Sequence, residues 1–158
     1  PLVNSAADAE SAVRATRHPP DGDRSMGPTR AIRIFGEACV EQAGEAIQCI
    51  PMIETRVALE NLDEILAVPG VDLVYVGPSD LSVNLGLGRG NHDGEPAFDE
   101  ALAAILDACR RHGVVPGIHS NASLAKRRLE AGFRVVTVAE DDTAMLSGFT
   151  AVLDDLGR

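Results

Sequence analysis

VDLVYVGPSDLS, residues 71–82, runs apolar through Val76 with only Asp72 interrupting, then halts at Gly77-Pro78-Ser79-Asp80. An apolar run without polar alternation, closed by turn formers, reads as a strand buried on both faces, which is how parallel sheets are written. Outward from it the pattern repeats. Upstream, Ile47–Ile53 is an apolar run broken by Gln48 and Pro51, followed by a helix over 56–68 with Leu59, Leu62, Ile65 and Leu66 on one face. Downstream, a Gly-rich loop reaches Pro96, and a helix over 97–112 buries Phe98, Leu102, Ile105, Leu106 and Cys109 before Gly113 caps it. A strand over 114–118, a helix over 121–131, a strand over 133–138 and a helix over 143–156 complete the series. At the front, Asn4 or Ser5 caps a helix that Pro19-Pro20 stops near His18. HPPDGDRSMGP is a loop, and a further helix covers roughly 37–46.

Strands that alternate with amphipathic helices predict an α/β chain with a parallel sheet, organised as one domain over residues 1–158. Counting Pro1-Leu2-Val3, there are about five strands. That tripeptide lacks an initiator Met and reads as the tail of a strand, so the chain reads as a fragment. An open doubly wound sheet and the second half of an eight-stranded barrel both fit the pattern.

Composition narrows the function. The 158 residues carry a net charge of -10, one Tyr, four Phe and no Trp. Nucleic-acid binding needs a basic surface and stacking rings, and neither is present. No apolar run is long enough to cross a membrane. Cys39, Cys49 and Cys109 have no metal or disulfide spacing, which points to reduced thiols in a cytoplasm. The expectation is a cytoplasmic protein that handles small molecules.

In either architecture, chemistry collects at the C-terminal strand ends. Those ends offer Glu54, Asp80, His119, Glu140 and Asp141. Glu54 and Asp80 lie one strand–helix unit apart, so both acids converge above the sheet and suit a divalent cation such as Mg²⁺ or Mn²⁺. The competing reading makes Glu54 a helix-dipole acid and Asp80 a turn cap. Gly77-Pro78 favours function, because it permits close approach and aims the amides of Ser79 and Asp80 at a substrate carboxylate. Arg24 is the best basic candidate for a substrate anion. His119 reads as a packed or interface residue more readily than as an acid or base. His18 and His92 read as loop residues, and His112 as a helix-end cation. LGLGRG lacks phosphate-loop spacing and reads as a flexible loop, and AKRRLE as a solvated helix face.

These stretches together resemble the HpcH/HpaI aldolase family of metal-dependent class II pyruvate aldolases. The likeness spans nearly the whole chain through AVRATRHPPDGDRS, PMIETRVALENLDEIL, GVDLVYVGPSDLS, VVPGIHSN and GFRVVTV. It implies a (β/α)₈ barrel, with this chain covering about strands 4/5 to 8, assembled as a homo-oligomer. It also implies cleavage of 4-hydroxy-2-oxo acids to pyruvate and an aldehyde. By the resemblance, Glu54 and Asp80 are the metal ligands, Gly77, Pro78 and Ser79 grip the pyruvate carboxylate, and Arg24 is the loop arginine.

Three departures stand out. No segment corresponds to the family's catalytic His or pyruvate-binding Arg, so the catalytic residues stay unassigned. Met52 stands where some members carry Gln, and Ser25 replaces a Gly. Two alternatives follow: a citrate-lyase-like enzyme acting on acyl-CoA, or an inactive half-barrel that self-associates through its open edges.

Overall fold

The computed structural model describes residues 1–90 and 92–157. The chain opens with α1 (Ala6–Thr16), capped by Ser5, whose hydroxyl accepts from Asp8 N at 3.2 Å. Then come α2 (Thr29–Phe35), α3 (Ala38–Glu41), α4 (Ala43–Ala46), β1 (Met52–Ile53), α5 (Arg56–Glu60) and α6 (Leu62–Leu66). The remainder is β2 (Leu73–Val76), α7 (Pro78–Asn84), α8 (Pro96–His112), β3 (Val115–Ile118), α9 (Ala122–Ala131), β4 (Val135–Val136) and α10 (Asp141–Asp155).

All four strands are parallel, in the order β1-β2-β3-β4. Each crossover therefore steps to the next neighbour in the same direction. Right-handed crossovers then put every connecting helix on one face, whereas a doubly wound sheet must reverse direction. The winding is that of a barrel wall. Register sorts the side chains accordingly. Ile53, Val76 and Ile118 form one row on the helix-covered face, each 0% exposed. The neighbouring row, Met52, Tyr75, Gly117 and Val135, lies on the opposite face, where a barrel has its interior. The core beneath the helices adds Ile65, Leu81, Phe98, Ile105 and Phe133.

Several elements differ from the sequence expectation. Pro1–Val3 pairs with no strand, so there are four strands rather than five among the described residues. Leu2 has φ 55, which turns the backbone out of the extended region, and its N–H goes to a side chain instead of a ladder. The helix over 56–68 breaks at Asn61 (φ -106, ψ 18), whose side-chain amide donates to Asn4 O at 2.8 Å. The helix over 37–46 is two short pieces, preceded by α2, which polar Arg30 and Arg33 hide from an apolar pattern. The Gly-rich loop begins with α7, for which Pro78 at the first helical position is the overlooked start signal.

Candidate functional site

The strand ends bring four segments to one rim: Glu54 after β1, Gly77–Asp80 after β2, His119–Asn121 after β3 and Glu140 before α10. Glu54 is only 2% exposed, and its Oε1 accepts from Leu2 N at 2.7 Å. Its other oxygen lies against the turn after β2. A Cβ added at Gly77 would sit 2.2 Å from Glu54 Oε2 and 3.1 Å from Met52 Cε. Gly77 has φ -94, which any residue adopts, so glycine is needed here for space and not for conformation.

Pro78 starts α7 with Gly77 as its cap, so no cap side chain hydrogen-bonds to the first turn. The amides of Ser79 and Asp80 belong to the helix start, where N–H groups have no intrahelical acceptor. The exposed Asp80 carboxylate stands in that same turn. Glu54, Gly77, Pro78, Ser79 and Asp80 line one cavity of ≈ 180 Å³, closed by Met52, Tyr75 and His119. A pair of carboxylates facing a cavity is a hard-oxygen donor set that fits Mg²⁺ or Mn²⁺. The described residues hold no group of three or more His, Cys, Asp or Glu able to hold a metal. Two protein ligands would leave positions for water and substrate oxygens, as catalytic Mg²⁺ sites require.

A larger cavity of ≈ 510 Å³ adjoins the first and shares Pro78, Ser79 and His119 with it. His119 Nε2 lies 3.1 Å from Glu140 Oε1, both side chains being half exposed. Arg24 is not brought to either cavity. It lines a separate one of ≈ 370 Å³ with His18, Phe35 and Cys39, and its carbonyl contacts His18 Nδ1 at 3.2 Å. His112 is tied to Asp63 at 2.8 Å, beside Arg111 at 2.7 Å. The Arg111 hydrogen bond, with His112 second, holds the Asp63 carboxyl below its ordinary range.

One interaction escaped the sequence reading. Arg128, in the supposed solvated face AKRRLE, is 3% exposed. It grips Asp93 with both ends of its guanidinium, at 2.7 and 3.0 Å, and lies 6.0 Å from the Phe98 ring centroid. Asp93, three residues past LGLGRG, is thereby tied to α9. Thirty-five residues separate the partners, and no local pattern announces such a pairing.

With this geometry in hand, the chain can be set beside known proteins. The family model for HpcH/HpaI aldolase/citrate lyase matches residues 1–147. The chain is 43% identical to a 4-hydroxy-2-oxo-heptane-1,7-dioate aldolase of Klebsiella pneumoniae, over 96% of its own length and 58% of the relative's. It is 38% identical to a hydroxypyruvate/pyruvate aldolase of Rhizorhabdus wittichii, over 93% and 59%. Among solved structures, an HpcH/HpaI aldolase/citrate lyase family protein of Burkholderia cenocepacia superimposes with a TM-score of 0.85 and 30% identity. That match covers 100% of this chain and 63% of the other. The chain thus spans about three fifths of the length of the relatives it matches. The winding of the sheet and these matches agree on an α/β chain forming part of a TIM-type barrel, and the chain belongs to the HpcH/HpaI aldolase/citrate lyase family.

Proposed function

We propose that this chain carries the keto-acid site of a metal-dependent carbon–carbon lyase that cleaves 4-hydroxy-2-oxo acids to pyruvate and an aldehyde. The observation that carries the reading is the cavity shared by Glu54 and Asp80, with a glycine whose missing side chain makes room for the Glu54 carboxylate. Glu54 and Asp80 would hold Mg²⁺ or Mn²⁺. When bound, the cation supplies positive charge that draws electron density from the keto oxygen and favours cleavage of the C3–C4 bond.

The chain's own residues supply the rest. Leu2 N fixes one oxygen of Glu54, which leaves the other free to face the cavity. The amides of Ser79 and Asp80 grip the substrate carboxylate, with Gly77 and Pro78 setting their direction. As the bond breaks, the C4 hydroxyl loses a proton and C3 gains one. We assign that proton transfer to a group outside these residues, since the family's histidine has no counterpart here. Arg24, in its separate cavity, is assigned no contact with the keto acid. Among the described residues neither rim cavity is lined by Arg or Lys, which disfavours acyl-CoA with its phosphates as the substrate.

The protein is further proposed to be a cytoplasmic homo-oligomer. Among the described residues no helix is long and apolar enough to cross a membrane. Helix α10 buries none of its residues and exposes Met145, Leu146, Phe149, Val152 and Leu153 at helical spacing. Such a stripe marks a protein–protein contact.

The test is pyruvate release from 4-hydroxy-2-oxo acids by the full-length protein, followed through lactate dehydrogenase and NADH. Mn²⁺-dependent release that Asp80→Ala lowers by 100-fold or more is expected. Release that ignores both the cation and the substitution would overturn the reading.

A further inference from the structure

We infer that the larger rim cavity is the aldehyde pocket and that it selects a neutral, hydroxylated aldehyde, with Glu140 as the determining residue. The inference rests on the keto-acid reading above. An aldehyde leaving C4 must lie directly beside the pyruvate carbons. The cavity of ≈ 510 Å³ is the space that continues from the acid pair, through Pro78, Ser79 and His119.

Its lining chooses the chemistry. Ser120, Asn121, Thr143 and Ser147 line the cavity, with the Thr143 and Ser147 hydroxyls donating to the carbonyls of Glu140 and Thr143 at 3.1 and 2.7 Å and Asn121 Oδ1 accepting from Leu124 N at 3.1 Å. Ser120 Oγ is buried and has no hydrogen-bond partner among the described residues, so a polar ligand atom would satisfy it. Among the described residues Glu140 is the only acid lining this cavity. Its Oε1 lies 3.1 Å from Nε2 of His119, a residue that lines both cavities. A hydroxyl on the substrate donates to that carboxylate in a charge-assisted hydrogen bond. A carboxylate on the substrate meets a like charge instead, and among the described residues no Arg or Lys lines either cavity to offset it. Rejection by a like charge is as much a part of selectivity as the new hydrogen bond. The Klebsiella relative is named for a heptane-1,7-dioate, whose cleavage yields an aldehyde bearing a second carboxylate. Among the described residues this cavity offers that group no Arg or Lys.

Three aldehydes separate the possibilities in the full-length protein with Mn²⁺ and pyruvate. D-glyceraldehyde is neutral and hydroxylated, succinic semialdehyde carries the carboxylate, and butanal has neither feature. We expect kcat/KM for glyceraldehyde to exceed that for each of the others by at least tenfold. Glu140→Gln, of the same size, should erase most of the discrimination against the semialdehyde through KM. Glu140→Arg should reverse the ratio by tenfold or more. A wild-type preference for succinic semialdehyde or butanal, or a ratio unmoved by both substitutions, overturns the inference. Exchange of the pyruvate methyl protons in D₂O, measured without any aldehyde, separates the two levels. Exchange with the wrong aldehyde preference sinks the aldehyde pocket alone, and absence of exchange sinks the keto-acid reading and this inference together.

Discussion

Gly77→Ala adds a single methyl group where the fold and the proposed chemistry meet. The new Cβ would lie 2.2 Å from Glu54 Oε2, which is 0.8 Å inside the 3.0 Å that real Cβ contacts respect (3.0 − 2.2). Backbone conformation offers no objection, because φ -94 and ψ 93 are open to alanine. Alanine would even stabilise by about 0.4–1 kcal/mol by restricting the unfolded chain. Against this, forcing a group into a filled site costs about 1–3 kcal/mol. The net expectation is a loss of about 1–2 kcal/mol, or roughly 2–8 °C in Tm for a chain of this size. Glu54 is buried and pinned by Leu2 N, so it cannot move aside without giving up that hydrogen bond. Urea unfolding with an unchanged slope measures the loss, and Mn²⁺ titration measures the displaced carboxylate. Gly148→Ala is the control. It lies in α10 with nothing within 4 Å of the added methyl, and should gain about 0.5–1 kcal/mol. A Gly77→Ala protein with wild-type midpoint and wild-type Mn²⁺ affinity would refute the steric reasoning.

Other perturbations probe the frame around the site. Asp93→Asn removes the carboxylate charge that the buried Arg128 guanidinium grips, so a loss of about 3 kcal/mol is expected, with faster proteolysis around Asp93. The Asp63 carboxyl is depressed by Arg111 and then His112, so its contribution is present above the ordinary value of 3.8 and lost as pH falls through the lower folded value. The stability gap between wild type and Asp63→Asn should therefore stand at pH 6 and close below about pH 4, as read from urea midpoints. Burial pushes the Cys109 thiol up to about 11 and raises that of Cys49 as well. At pH 8 a thiol reagent should label the half-buried Cys39 first and leave Cys109 untouched until the chain unfolds. A protein in which Cys109 reacts as fast as Cys39 would contradict the burial.

How much of this could be read in the sequence depended on how local the cause was. The strands Leu73–Val76 and Val115–Ile118 announced themselves, since a short apolar run closed by turn formers needs no partner to be recognised. Glu54 and Asp80 followed from the same logic, because a strand end fixes where the next residues stand. The helix break at Asn61 did not, as it depends on the Asn4 carbonyl 57 residues away. Leu2 looked like a strand residue, yet its φ of 55 and its bond to Glu54, 52 residues away, arise only in the folded chain, where α1 packs against α6. Arg128 illustrates the same limit from the other side. Its neighbours Lys126 and Arg127 are solvated as the composition implies, and only the folded loop brings Asp93 and Phe98 to it. The choice between an open sheet and a barrel wall also waited for strand order, which hydrophobic pattern does not encode.

The central claim is that Glu54 and Asp80 form one cation site that a keto acid completes. Calorimetric titration of Mn²⁺ into the protein, with and without pyruvate, beside Asp80→Ala, tests it most directly. The account predicts that pyruvate tightens Mn²⁺ binding at least tenfold and that Asp80→Ala abolishes the gain. Mn²⁺ binding indifferent to pyruvate, or unchanged in Asp80→Ala, would contradict it.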